Sequence, residues 1–240
     1  MTNYQFIRSL KWRLFRNANK LTQLQKKLGY FFSNQDYLIQ ALTHKSMYQL
    51  SSKNYERLEF LGDAIIDYII SEKLIKEFPE GDEGLLTNRR SSLVRKSFLA
   101  KMGGLLNLLD YLIAKPSVDY SQTKVAENQL ENIFEALMGG IYLDGGIKAC
   151  KRLIDNTIWA YRREAWKKIN YKGLLIEYCH SKQLASPKFL VINTTGPDHE
   201  KLYEISVQIG KKKFPPGIGE DKKTAEQAAA QLTIDSLVEK

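Results

Sequence analysis

Cysteine is nearly absent from this 240-residue chain, with only Cys150 and Cys179 present. Two thiols cannot build a disulfide framework or a four-ligand zinc site. Histidine is equally scarce, and His44, His180 and His199 show no metal-ligand spacing among themselves. A reducing cytoplasm is the expected compartment, and zinc chemistry is not expected. Long apolar runs are also missing: the stretches around Ile69 and Leu105 are broken by polar residues well before the roughly 18 positions that a membrane span needs. No membrane partner is therefore expected. The first twenty residues carry Arg8, Lys11, Arg13, Arg16 and Lys20 but no apolar segment followed by a small-residue cleavage site. They read as a basic arm over 1–20, helical near 6–15, and not as a secretory signal.

Basic residues predominate, 36 Lys+Arg against 27 Asp+Glu for a formal charge of +9. A polyanionic partner follows, of a kind that charge alone does not choose. The excess lies in residues 1–169, with 26 basic against 18 acidic residues. Residues 170–240 are nearly balanced at 10 against 9, so any nucleic-acid contact there must use a local patch.

From 21 to 166 apolar residues recur at three- and four-residue spacing, with turn signals at Gly29, Phe78-Pro79, Gly103-Gly104, Lys115-Pro116 and Gly145-Gly146. This part is expected to be all-α. The pattern then changes to a helix over 171–182, strands over 188–193, 201–209 and 211–218, and an alanine-rich helix from Asp221. The order α-β-β-β-α predicts a small α+β domain with both helices on one face of an antiparallel sheet. The boundaries expected are 21–168 for the helical domain and 169–240 for the α+β domain.

The segment from Asn54 to Ala64 carries the most chemistry. On a helix Glu56, Glu59 and Asp63, at i, i+3 and i+7, lie within roughly 60° of one another. Leu58, Leu61, Ile65 and Ile69 are expected to form the packing stripe opposite. Most acidic helix faces are merely solvated, but here Phe60 sits about 40° from Glu56 on the acidic side. Gly62 beside Asp63 would let a backbone or ligand come close. Clustered carboxylates repel unless a cation is present, and hard oxygen donors suit magnesium or manganese. A second pair, Asn132 and Glu135 at i, i+3, repeats the geometry, with Ile133, Phe134, Leu137 and Ile141 as its packing side.

Together the two segments resemble the ribonuclease III family, whose hallmark is an N-E-R-L-E-F-L-G-D helix followed some seventy residues later by a D-x-F-E-A helix. His44-Lys45-Ser46, the Gly81 to Leu86 turn and the segment from Ile141 to Gly146 extend the similarity. The resemblance implies a double-strand-specific endoribonuclease that uses Mg²⁺, with Mn²⁺ able to substitute, and no small-molecule cofactor. Glu59, Asp63, Asn132 and Glu135 would be metal ligands, with Asp63, Glu135 and Glu56 central to cleavage. Metal-activated water would leave 5′-phosphate and 3′-hydroxyl ends, in processing of structured precursors such as ribosomal RNA. Phe60 would enter a socket on a twofold-related subunit, making a homodimer. His44 is read as structural.

One departure from the family pattern matters and a second is minor. Asn132 occupies the place of the family's Asp and brings no formal charge, so a higher Mg²⁺ requirement or a preference for Mn²⁺ is expected. Adjacent Glu131, about 100° away around the helix, reads as a poor substitute. Tyr55 replaces the Asn that usually precedes the Glu. The alternative function is a double-stranded-RNA-binding scaffold with weakened or lost catalysis.

The C-terminal part resembles the double-stranded-RNA-binding domain through Tyr171-Lys172, Gly196-Pro197-Asp198-His199 and the run from Gly217 to Ala230. The resemblance implies recognition of A-form shape. His199 would enter one minor groove and the first helix near Glu177 the other, with Lys222, Lys223 and Lys213 on phosphates. Ile176 stands where a polar residue is usual. Asp221 is expected to cap the last helix.

Overall fold

The computed structural model describes residues 18–166, 169–197 and 201–238; the helix expected within the basic arm and His199 lie outside them. The chain divides into two units, residues 1–70 with 93–163 and residues 71–92 with 164–240.

In the first unit the three- and four-residue periodicity becomes helices α1 (Ala18–Leu28), α2 (Gln35–Ala41), most of α3 (Glu56–Glu77), α5 (Lys96–Leu105) and α6 (Thr123–Ile154). The helix between them, α4 (Glu83–Val94), falls almost wholly in the second unit. Helix α6 is central, packing against α2 and α5. Its expected apolar side, Ile133, Phe134, Leu137 and Ile141, is fully buried, each side chain contributing about 1.5–3 kcal/mol of transfer free energy.

Helix α3 differs from expectation in its seam. Leu58, Ile66 and Ile69 are buried, but Leu61 and Ile65 are only half-buried. The line of closest approach runs instead through Gly62. A Cβ there would collide with the backbone carbonyl of Glu135, and one on Gly139 would collide with that of Leu58. The two helices therefore touch backbone to backbone. Gly103, expected to mark a turn, lies inside α5, where a Cβ would meet the carbonyl of Leu130. Gly146, at φ 69°, does break α6 with a left-handed residue that glycine adopts without strain.

In the second unit α8 (Tyr171–Ser181) is followed by β1 (Lys188–Thr195), β2 (Leu202–Ile209), β3 (Lys212–Lys213), β4 (Gly217–Gly219) and α9 (Lys222–Val238). A short α7 (Arg162–Trp166) precedes them. Strand β2 pairs antiparallel with β1, β3 and β4. The single strand expected over 211–218 is split: Phe214 still donates to the Val207 carbonyl at 2.9 Å, but Pro215 and Pro216 have no N–H to continue the ladder. Helix α9 packs on α8, β2 and β4. Ala225, Ala229 and Ala230 are fully buried, and a Cβ on Gly217 or Gly219 would strike the α9 backbone.

Residues 71–92 fall in this unit, where Arg89 is at the centre of a buried cluster. Its guanidinium is 1% exposed, stacks 3.9 Å from the Phe78 ring centre and 4.4 Å from that of Trp166, and pairs with Asp235 at 2.5 Å. The Arg89 carbonyl accepts from the Trp166 indole at 3.3 Å.

Candidate active site

The start of α3 is held by Asn54, whose Oδ1 accepts from the Glu56 N–H at 2.9 Å. Its Nδ2 donates to the Tyr48 carbonyl at 3.0 Å. Tyr55 is fully buried, and its hydroxyl donates to Gln129 Oε1 at 3.0 Å while accepting from Asn132 Nδ2 at 3.3 Å. The two departures from the family pattern are thus in contact: the Tyr55 hydroxyl anchors the amide nitrogen of Asn132 and turns its oxygen the other way.

About two turns further along α3, the contact between Gly62 and the Glu135 backbone brings the acidic faces of α3 and α6 together. Glu56, Glu59, Asp63, Asn132 and Glu135 line one cleft of about 530 Å³, with Lys45, Tyr55, Phe60 and Val94 completing its walls. The same cleft contains Glu131, a residue that its helical angle from Asn132 argues against. Glu135 is the better reference: on α6 Glu131 lies about 40° from Glu135, closer than Asn132 at about 60°. That angle is the sequence signal that finds it.

The electrostatics are those of a crowded anionic site. Burial, followed by the charges of Glu131, Asp63 and Glu59, pushes the Glu135 carboxyl up to about 8. Burial and then Glu131 and Glu56 push Glu59 up to about 7. Asp63 is also raised, by burial and the neighbouring Asp67. Two cations attend the cluster: Lys96 Nζ lies 2.8 Å from Glu131 Oε2, and the more exposed Lys45 lies 4.0 Å from Glu56.

Among the described residues no three of these groups yet stand close enough together to hold a metal ion. The donor set still fits a divalent cation. It is all oxygen, it carries more negative charge than its lysines offset, and the glutamates reach the cleft on rotatable arms. Each raised carboxyl marks a charge disfavoured first by burial and then by its acidic neighbours, a cost that a bound cation would offset.

Phe60, at the cleft, is 81% exposed and so not a core aromatic. His44 is buried, takes a hydrogen bond from the Ser46 N–H on Nδ1 at 3.0 Å and packs edge-on to Tyr55. Burial, then Lys45, holds its pKa down.

In the second unit Asp221 caps α9, accepting from the Thr224 N–H at 2.7 Å. That bond helps hold its carboxyl below the usual range. Lys222 and Lys223 are exposed on the first turn of α9, Lys213 is exposed on β3, and Glu177 is exposed on α8 beside Ile176.

Residues 34–161 match the family described as Ribonuclease-III-like, and residues 171–237 match the double-stranded RNA binding motif. Ribonuclease 3 of Campylobacter fetus is 37% identical over 222 residues, covering 91% of this chain and 99% of its own. Ribonuclease 3 of Helicobacter pylori is 36% identical over 224 residues, covering 92% and 93%. The solved nuclease domain of ribonuclease III from Campylobacter jejuni, described for flexibility in a region involved in dimer formation, aligns with a TM-score of 0.53 at 36% identity. It covers 57% of this chain and 95% of that one. No helix among the described residues is long and apolar enough to cross a membrane. With a helical acid cleft followed by a small sheet-and-helix module, and with relatives matched almost end to end, the chain belongs to the ribonuclease III family of double-strand-specific endoribonucleases.

Proposed function

We propose that this chain hydrolyses phosphodiester bonds of double-stranded RNA with metal-activated water, leaving 5′-phosphate and 3′-hydroxyl ends, in processing of structured RNA precursors. The observation that carries the reading is the meeting of Glu56, Glu59, Asp63 and Glu135 from two helices in one cleft. A bound divalent ion, Mg²⁺ or Mn²⁺, would supply a nucleophilic water and offset charge developing on the phosphate. Glu59, Asp63 and Glu135 hold the ion, Asn132 offers a neutral amide oxygen oriented through Tyr55, and Glu56 shapes the mouth of the cleft beside Lys45. No histidine or serine is needed as nucleophile.

Residues 21–168 carry the chemistry and residues 169–240 the duplex recognition. Lys222 and Lys223 project from the amino end of α9, where helix dipole and side-chain charge both favour phosphate. Lys213 adds a third cation, and Glu177 and His199 serve the minor grooves. Exposed Phe60 is the dimer contact, and Phe60→Asp is expected to convert a dimer to monomers by light scattering. The decisive experiment incubates a long RNA duplex with the protein and Mg²⁺ or Mn²⁺, beside Glu135→Ala, and maps the product ends. Short duplexes with 5′-phosphates from the wild type alone support the reading. A duplex bound but left intact makes the chain a scaffold.

A further inference from the structure

We propose that Glu131, displaced by one position from the family's Asp, supplies the acidic charge that Asn132 lacks, and that Lys96 holds it until a divalent cation takes its place. The inference rests on the metal-dependent reading above.

The placement is physical. Glu131 and Glu135 are four residues apart on α6 and so share a face, and both line the acid cleft. The Glu131 side chain is only 15% exposed, so its charge is not dissipated into solvent. After burial, the charge of Glu131 is the foremost influence on both Glu59 and Glu135. An acid with that influence on two metal-holding carboxylates acts on whatever cation they hold. The charge count of the cleft is therefore kept, with the acid moved to the other flank of Glu135.

Lys96 offsets part of the charge of the cluster. Its ammonium lies 2.8 Å from the buried Oε2 of Glu131, yet that oxygen receives no properly directed hydrogen bond. The contact is a charge pair only. Lys96 is half exposed at the start of α5, so it can swing into solvent and leave Oε2 free. A Glu131 that served only to pin α5 to α6 would make the two partners equivalent, whereas competition between Lys96 and a cation makes their removal act in opposite directions.

The test is Mn²⁺ binding alone, by calorimetry or electron paramagnetic resonance, without RNA. Glu131→Gln is expected to weaken Mn²⁺ about tenfold, within the range seen when outer carboxylates of metal sites are lost. Glu131→Asp is expected to restore part of that loss. Lys96→Met is expected to tighten Mn²⁺ severalfold. Equal affinity in the wild type and Glu131→Gln overturns the inference, as does weakening by both Glu131→Gln and Lys96→Met. Should Glu131→Gln fail to fold, an unchanged Mn²⁺ affinity in Lys96→Met overturns it as well. A wild type that binds no Mn²⁺ strikes instead at the metal-dependent reading, so the two failures are separable.

Discussion

Substituting Gly62 by alanine places one methyl group where two helix backbones meet. The new Cβ would lie inside the van der Waals envelope of the Glu135 carbonyl, with the Gly139 amide next in line. Neither atom belongs to a flexible side chain, so α3 and α6 must part by on the order of 1 Å at a close-packed seam. Overpacking costs about 1–3 kcal/mol where side chains can adjust, and more where backbone must move. Alanine's better helix propensity returns up to about 1 kcal/mol. The net expectation is a loss of about 2 kcal/mol, a fall in melting temperature of roughly 4–8 °C for a chain of this size. The folded fraction should also bind Mn²⁺ more weakly, because parting the helices withdraws Glu59 and Asp63 from Glu135. Gly104→Ala is the control: nothing lies within 4 Å of its Cβ direction, and it should melt at or slightly above wild type. The assay is thermal unfolding by circular dichroism together with Mn²⁺ titration. A Gly62→Ala protein that melts with the wild type and binds Mn²⁺ as tightly refutes the reasoning.

Three further outcomes follow from charge. In the metal-free protein, Glu59 and Glu135 titrate near 7 and 8 against an ordinary 4.5, so the folded state holds extra protons between about pH 4.5 and 8. Their contribution to stability is lost as pH rises through that window. Melting in EDTA should fall from pH 5 to pH 8, and Mn²⁺ affinity should rise over the upper part of the same range. A pH-independent affinity would contradict both shifts. Asp235→Asn leaves the fully buried Arg89 guanidinium without its counter-charge. Breaking such a pair costs about 3–5 kcal/mol when both groups are buried; with Asp235 partly exposed, a loss of about 2 kcal/mol is expected from urea midpoints. Lys222→Glu with Lys223→Glu should weaken binding to a long duplex and lower the salt slope by roughly 0.7–0.9 for each phosphate no longer neutralised. Mn²⁺ affinity, measured on the same protein, should stay as in wild type.

The acid helix is legible in the sequence because helical period alone puts Glu56, Glu59 and Asp63 on one face, and the second pair follows by the same rule. The seam between α3 and α6 is not. A hydrophobic stripe is read from side chains, and the seam passes through Gly62 and Gly139, which have none, so the pattern favours Leu61 and Ile65 over Ile66. Glu131 escapes notice when the helical angle is measured from the residue that departs from the family, and stands out when it is measured from the one that keeps to it. Tyr55 looks incidental for a related reason: its link to Asn132 spans 77 positions in sequence. Arg89 reads as an ordinary surface cation on a polar helix. Only the folded chain brings Phe78, Trp166 and Asp235 around it, from segments that sequence order keeps apart. In the C-terminal module the alanine run, the cap at Asp221 and the helix order are all legible, whereas the proline pair that divides the last strand is hidden by the β-rich residues on either side.

Because the two acid-bearing helices meet through peptide groups at Gly62 and Gly139, the gap there is set by backbone and not by the size of a hydrophobic side chain. Peptide geometry fixes the span that the carboxylates bridge, much as a rigid chelator fixes its bite. Within such a frame, ion choice is open to change through the atoms that reach inward, and an amide at one position beside an acid at the neighbouring one is the kind of change it permits.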